Sequence, residues 1–126
     1  MGHENQILEI LEDMLKFEDI YACMLVRKGM QGIVPNTNLF RKEVMSIWNI
    51  LGETMDEFFD VIQQYSKHNL GEVDFRLMDY EVMFFILPWS DTALVAIIPA
   101  LANKGLLEVE MENGRRKIIG ILGRKQ

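Results

Sequence analysis

The stretch that decides the fold runs from Leu39 to Lys67 and reads LFRKEVMSIWNILGETMDEFFDVIQQYSK. It contains no proline, and its single glycine is Gly52. Proline breaks a helix interior and glycine weakens one, so their scarcity over this length predicts one long helix. Thr37 or Asn38 would cap its start, because short polar side chains accept hydrogen bonds from the first free amides of a helix.

The apolar residues of this helix form two adjacent stripes, since an α-helix turns by about 100° per residue. The first stripe consists of Val44, Trp48, Leu51, Met55, Phe59 and Ile62. The second consists of Phe40, Ile47, Ile50, Phe58, Val61 and Tyr65. The remaining arc is polar and consists of Lys42, Ser46, Asn49, Glu53, Asp56, Asp60 and Gln64. One packed core would account for the first stripe alone.

The second stripe makes the apolar arc wider than a helix on a sheet needs. Together the stripes cover about half of the helix circumference, whereas a core-facing arc spans roughly 100° or slightly more. An exposed surface rich in aromatic residues usually marks a protein interface. We therefore expect the second stripe to bind another protein. The alternative is a wider core, in which the first or the last helix covers part of the arc.

The residues before the long helix predict a helix and two strands. Between residues 5 and 17 the apolar positions recur at spacings of three and four, as in a short amphipathic helix that Asn5 would cap. Residues 20–26 (IYACMLV) form a short, continuously apolar run, which is typical of a buried strand. The two glycines within residues 27–32 indicate a hairpin into a second short strand around residues 33–34, which Pro35 marks as an edge strand or ends.

The residues after the long helix predict three strands in an antiparallel meander. Residues 73–78 alternate between apolar and polar side chains, as in a half-buried strand. Residues 82–87 and 92–98 are apolar without interruption, which suits strands covered on both faces. Short turns at residues 79–81 and 90–91 would join the three strands.

The last segment, residues 101–122, fits neither a helical nor a strand period cleanly. A helix over residues 101–117 is one interpretation. A hairpin is the other: residues 106–111 would pair with residues 117–122 around Glu112-Asn113-Gly114, because Asn-Gly is a strong turn signal. The resemblance described below favours the helix.

Composition predicts a single α/β (α+β) domain that spans residues 1–126. The chain is 49% hydrophobic and 25% charged, as in ordinary globular proteins. Its net charge of -6 repels phosphate backbones, so we expect no nucleic-acid partner. The basic run at residues 115–117 is interpreted as a helix C-terminus that complements the helix dipole. Cys23, the only cysteine, lies in an apolar run and indicates a reducing compartment.

Residues 1–5 lack the features of a signal peptide, and no apolar run approaches the ~20 residues that span a bilayer. We expect a cytoplasmic protein with no direct membrane insertion. Neither His3 nor His68 has a cysteine or a second histidine at metal-ligand spacing. The glycines of residues 29–32 do not open a helix, as a phosphate loop requires, and the serines lack a base in a recognisable context. We therefore expect no catalytic residues, no metal, no cofactor and no enzyme.

Two stretches carry a family resemblance. Residues 7–26 combine an amphipathic helix, a turn through FEDI and an apolar strand, and residues 102–107 read ANKGLL. Together with the order of elements, these features resemble the Roadblock/dynein light chain family, whose last helix opens with Asn-x-Gly-Leu-x-Arg. The first hairpin departs from the family pattern, because Arg27-Lys28-Gly29-Met30-Gln31 replaces its common acidic-glycine turn.

The resemblance implies a five-stranded antiparallel sheet, with the long helix on one face and the N- and C-terminal helices on the other. It implies a homodimer in which the long helices pair and the third strands join into one sheet. It also implies a regulatory or scaffolding role toward a Ras-like small GTPase or a larger complex. The dimer residues mapped from the family are Ile47, Ile50, Phe58, Val61, Tyr65, Val73 and Phe75. Phe40 joins this expected interface through the second stripe.

A ligand-sensing domain is the alternative function. Methionine side chains adapt to irregular spaces, and the chain has nine of them, which could line a small-molecule pocket. Methionines scattered as core filler explain the same count.

Overall fold

The computed structural model describes residues 2–88 and 91–123. Its α+β fold confirms the predicted class. The helices are α1 (Gly2–Met14), α2 (Met45–Gln64) and α3 (Lys104–Gly123). The strands are β1 (Ala22–Arg27), β2 (Met30–Ile33), β3 (Glu72–Arg76), β4 (Tyr80–Ile86) and β5 (Thr92–Pro99). Single 3-10 turns occupy Thr37–Leu39, Lys42–Val44 and Ser66–His68.

The five strands form one antiparallel sheet in the order β2-β1-β5-β4-β3. β4 and β5 pair along their length, from Tyr80 opposite Pro99 to Ile86 opposite Ala93. β1 pairs with the other side of β5, and β2 and β3 form the two edges. The inner strands are apolar without interruption because helices cover both faces of the sheet.

Each face of the sheet has its own core. Alternate residues of the strands point to opposite faces, so neighbours such as Phe84 and Phe85 belong to different cores. α2 covers the first face through Leu51, Met55, Phe59 and Ile62, all from the first apolar stripe. α1 and α3 cover the second face together. This arrangement confirms the expected sandwich of one sheet between a long central helix and two terminal helices.

The last segment is a helix, because its Asn-Gly step lies in a close contact between helices. A Cβ atom at Gly114 would lie 2.9 Å from Met14 Sδ and 3.5 Å from Leu94 Cδ2. Glycine therefore serves here as the residue that lets α1 and α3 approach, and not as a turn residue. α3 starts three residues later and ends six residues later than predicted, so the basic run at residues 115–117 lies in its interior. The interpretation of that run as a helix C-terminus was wrong.

Two helix starts also differ from the prediction. α1 includes Asn5 within it, so Asn5 is not its cap. α2 begins at Met45 and not at Leu39, because the preceding chain is bound to the sheet: the Arg41 N–H donates to the Tyr21 carbonyl (3.0 Å). The polar capping contact lies earlier, where the Asn36 side chain accepts from the Asn38 N–H (2.9 Å).

The strand ends shift by a few residues. β3 ends at Arg76, and β4 already begins at Tyr80, within the predicted 79–81 turn. The predicted turn at residues 90–91 lies partly outside the described residues, since only Asp91 is described.

Candidate interaction surface

The outer face of α2 carries large apolar side chains that the monomer does not bury. Ile50 is 59% exposed, and Val61 and Tyr65 are each 53% exposed. These three residues and the half-buried Ile47 come from the second apolar stripe of the sequence. Neither α1 nor α3 covers them, because both helices pack on the other face of the sheet. The alternative of a wider core, closed by a terminal helix, was therefore wrong for these positions.

A groove of about 440 Å³ lies beside this face, between α2 and β3. Its lining consists of Ile47, Ile50, Leu51, Thr54, Glu57, Phe58, Val61, Phe75 and Leu77. The Phe58 and Phe75 rings stack across it, with centroids 5.4 Å apart and planes 7° from parallel. Phe58 also packs on the Phe84 ring, at 5.2 Å between centroids, and so anchors the groove to the core. Aromatic pairs of this kind each contribute about 0.5–1.5 kcal/mol beyond the area they bury.

Phe40 does not belong to this surface, although the sequence analysis placed it there. It lies before α2, is only 4% exposed, and its ring meets the Trp48 ring edge-to-face at 4.7 Å. The helical spacing that put Phe40 on the second stripe does not apply to a residue outside the helix. Its place in the sequence prediction was wrong, and it is a core residue.

β3 continues the apolar surface at the edge of the sheet. Val73 and Phe75 are half-buried and point to the α2 side. The structure therefore brings the two mapped strand residues next to the helix residues, with the Phe58–Phe75 stack as the contact between them.

Four residues of the groove were outside the predicted interface: Leu51 was assigned to the core stripe, and the other three were assigned to neither stripe. Leu77 continues the alternation of Val73 and Phe75 by one more step, so the strand pattern could have identified it. Thr54 and Glu57 lie four and seven residues after Ile50, which places them on the same helix face. They were omitted because only apolar residues were sought.

The opposite side of β3 carries a compact charged cluster. Lys104, the first residue of α3, places its Nζ 2.5 Å from Asp74 Oδ2 and 2.6 Å from Glu81 Oε2. Hydrogen bonds with Glu81 and with Lys104 lower the pKa of Asp74, and hydrogen bonds with Asp74 and Glu81 raise the pKa of Lys104. On the same side, Arg76 Nη2 donates to the Ala100 carbonyl (3.0 Å). These contacts attach the edge strand to the start of α3.

The polar arc of α2 holds the first hairpin. Lys28 Nζ lies 2.7 Å from Asp60 Oδ1 and donates to Gln63 Oε1 at 2.8 Å. The Gly29 N–H donates to Asp56 Oδ1 (3.4 Å), and Gly29 has the positive φ of 71° that a tight turn requires. Asp56 and Asp60 therefore bind the hairpin, although both stay exposed to solvent.

The methionines do not form a pocket in the groove. Met14, Met24, Met55, Met83 and Met111 are core residues. None of the methionine side chains that the structure describes lines the groove between α2 and β3. These five fit core filler, which was the second explanation of the methionine number, whereas Met78 is 92% exposed. Met24 and Met55 also line a separate cavity of about 380 Å³ between the first hairpin and α2.

Within the residues that the structure describes, Cys23 is not placed as a nucleophile and the acidic side chains are not placed as a metal site. Cys23 is fully buried, its Sγ donates to the Leu11 carbonyl (3.4 Å), and burial raises the pKa of its thiol to about 12. A thiol in that state is a poor nucleophile. In residues 2–88 and 91–123 no group of three or more His, Cys, Asp or Glu side chains is placed to hold a metal ion.

The sheet order, with α2 on one face and α1 and α3 on the other, is similar to the fold of solved MglB and Roadblock/LC7 structures. Myxococcus xanthus MglB superimposes with a TM-score of 0.74 at 13% identity, over 96% of this chain and 90% of that one. A Roadblock/LC7 domain from Streptomyces avermitilis does so with a TM-score of 0.66 at 9% identity, over 90% and 95%. A structure described as MglB with tetrameric arrangement reaches 0.67 at 10% identity, over 100% and 94%.

The chain itself belongs to the AF0774-like protein family, whose model matches residues 4–112. No curated protein matches its sequence. In the part of the chain that the structure describes, no helix combines the length and the apolar character needed to cross a membrane.

Proposed function

We propose that this chain is a non-catalytic, homodimeric regulatory module of the Roadblock type. One observation carries the proposal: Ile50 and Val61, which line an apolar groove, and Tyr65, directly after the end of α2, are each more than half exposed. Monomeric proteins rarely leave a contiguous apolar surface of this kind uncovered. A second copy of the chain offers the same surface and can cover it by two-fold symmetry.

The energetics favour pairing through α2 and β3 together. Burying a large apolar side chain completely is worth about 1.5–3 kcal/mol, and each copy would contribute several. β3 is also an edge strand, and its free backbone groups gain partners when another strand pairs with them. The tetrameric arrangement named for one structural relative supports self-association of this fold.

The partner beyond the second copy is proposed from the resemblance to the Roadblock family. That family implies regulation or scaffolding of a Ras-like small GTPase or of a larger complex. The surface supports a binding role, because the groove is apolar and Cys23, the only thiol of the chain, is buried away from it.

Self-association is tested by light scattering and sedimentation on the wild type and on matched variants. The wild type should be a dimer, whereas Ile50→Asp, alone or with Val61→Asp, should be a folded monomer, because it places a charge in the apolar contact. Asn49→Asp adds the same side chain at the neighbouring position on the polar arc and should remain dimeric. A monomeric wild type, or equal dissociation by Ile50→Asp and Asn49→Asp, would refute the proposed interface.

The regulatory role is tested by adding the dimer to candidate small GTPases from the same cell and measuring nucleotide hydrolysis and exchange. A change in either rate that disappears with Ile50→Asp supports the proposal. No change with any candidate, combined with thermal stabilisation of the chain by a small metabolite, would favour the ligand-sensing alternative instead.

A further inference from the structure

The free edge of β3 presents the backbone groups of alternate residues. At the two ends of the ladder with β4, the Leu77 N–H donates to the Tyr80 carbonyl (2.7 Å) and the Ile86 N–H donates to the Gly71 carbonyl (2.8 Å). Hydrogen-bonded and non-bonded pairs alternate along an antiparallel ladder, so the odd-numbered residues of β3 bond to β4. The residues that direct N–H and C=O toward the free edge are Glu72, Asp74 and Arg76.

Two-fold symmetry limits how a second β3 can pair with this edge. In the antiparallel register centred on Asp74, Glu72 of each copy lies opposite Arg76 of the other, and Asp74 lies opposite Asp74. Every outward-facing residue of both strands then joins the ladder. Opposite charges directly across a ladder stabilise it, and this register forms the Glu72–Arg76 pair twice.

The neighbouring registers are less favourable. A register centred on Val73 places Glu72 opposite Asp74, and like charges at opposed positions destabilise a sheet. A register centred on Phe75 places Asp74 opposite Arg76 twice, but it also places Glu72 opposite Met78, which follows the end of the strand. It therefore pairs two outward-facing residues of each strand, whereas the Asp74-centred register pairs three.

The Asp74-centred register has one unfavourable contact, between the two Asp74 carboxylates. Side chains at opposed positions start about 4.5–5.5 Å apart at their Cβ atoms. Lys104 already offsets this charge within each copy, because its Nζ lies 2.5 Å from Asp74 Oδ2. Its attachment to the nearly buried Glu81 holds the ammonium group in that position.

We propose that, where two copies of the chain pair through β3, the strands adopt the antiparallel register with Asp74 at the two-fold axis, and that Lys104 permits this register by neutralising Asp74. This inference rests on the proposed homodimer. It adds a specific register and a residue outside the apolar surface that controls association.

Cysteine substitution tests the register. The Cα atoms of a hydrogen-bonded antiparallel pair are about 5.5 Å apart, within the range that a disulfide spans. With a mild oxidant, Asp74→Cys should therefore give a covalent dimer on a non-reducing gel. Glu72→Cys and Arg76→Cys should cross-link when mixed and not when oxidised separately. The buried Cys23 leaves the wild type as an uncross-linked control.

Sedimentation of charge variants tests the role of Lys104. Lys104→Met should raise the dimer dissociation constant at least about tenfold, because two uncompensated carboxylates then meet at the axis. Adding Asp74→Asn to Lys104→Met should restore association to within about threefold of the wild type, although Glu81 still lacks its cation. Lys117→Met removes the same charge from the exposed side of α3 and should change the dissociation constant by less than about twofold. Lys104→Arg should behave as the wild type.

The outcomes separate the two proposals. A monomeric wild type overturns the homodimer itself. A dimeric wild type in which Val73→Cys or Phe75→Cys cross-links in place of Asp74→Cys overturns the register alone. A Lys104→Met dimer as tight as that of Lys117→Met overturns the role of Lys104. If Lys104→Met does not fold, the Asp74→Cys cross-link and the mixed Glu72→Cys and Arg76→Cys cross-link still decide the register. Lys104→Gln, alone and with Asp74→Asn, then tests the neutralisation of Asp74 by the Lys104 charge.

Discussion

Replacing glycine by alanine should have opposite effects in α2 and α3. Gly52 is exposed in the interior of α2, and a Cβ atom there would meet nothing within 4 Å. Alanine is about 0.8–1 kcal/mol more favourable than glycine inside a helix. Unfolding a domain of this size carries an entropy of roughly 260 cal/mol/K, so Gly52→Ala should raise the melting temperature by about 3–4 °C.

Gly114→Ala carries the same gain in helix propensity but meets an occupied space. The new Cβ would lie 2.9 Å from Met14 Sδ and 3.5 Å from Leu94 Cδ2, and both side chains are buried. Overpacking a closed core costs about 1–3 kcal/mol, which exceeds the propensity gain over most of that range. We expect a net loss of about 1 kcal/mol.

Urea unfolding at one fixed protein concentration measures both variants. The denaturation midpoint should rise for Gly52→Ala and fall for Gly114→Ala, with the dependence on urea unchanged in each case. Equal stabilisation by both substitutions would refute the close approach of α1 and α3 at Gly114. Destabilisation by Gly52→Ala would show that this side of α2 is covered in solution.

Two further predictions concern single side chains. Cys23 should not react with a thiol reagent at neutral pH until the protein unfolds, because burial raises the pKa of its thiol to about 12. Rapid labelling of the folded protein would contradict the position of Cys23 beneath α1. The Tyr80 hydroxyl donates to Glu43 Oε1 (2.5 Å), and this hydrogen bond raises the pKa of Tyr80 to about 12 from an ordinary 10.0. The stabilisation of the fold by this hydrogen bond is therefore complete below pH 10.0 and is lost as the pH rises through 12. The stability advantage of the wild type over Tyr80→Phe should therefore shrink across that interval, and an advantage independent of pH would contradict the Tyr80–Glu43 contact.

The first apolar stripe and the inner strands were predictable because local periodicity reports burial directly. Leu51, Met55, Phe59 and Ile62 recur at helical spacing, and all four lie against the sheet. The uninterrupted apolar runs of β4 and β5 likewise required a sheet covered on both faces. These patterns need no knowledge of distant residues.

The errors arose where a distant contact decides the local structure. Phe40 continues the helical spacing of the second stripe, yet the hydrogen bond from Arg41 to Tyr21 keeps this part of the chain outside the helix. The choice between helix and hairpin at Asn113-Gly114 was left open by local preference and not mispredicted: helix packing against Met14 uses this glycine inside α3. The Lys104–Asp74–Glu81 cluster joins α3 to β3 and β4, and no sequence pattern connected these residues.

The amino-acid sequence by itself determined the kind and order of the elements from α1 to β5 and the two apolar stripes of the long helix, because hydrophobic spacing acts over a few residues. The last segment fitted no single period, and its helix depends on packing against α1. Only the tertiary structure decided which stripe residues stay exposed, since exposure depends on where the other helices pack. It placed α1 and α3 together on the far face of the sheet and left Ile50, Val61 and Tyr65 uncovered. It also placed Lys104 beside Asp74 at the sheet edge, through a contact between residues 30 positions apart in the chain.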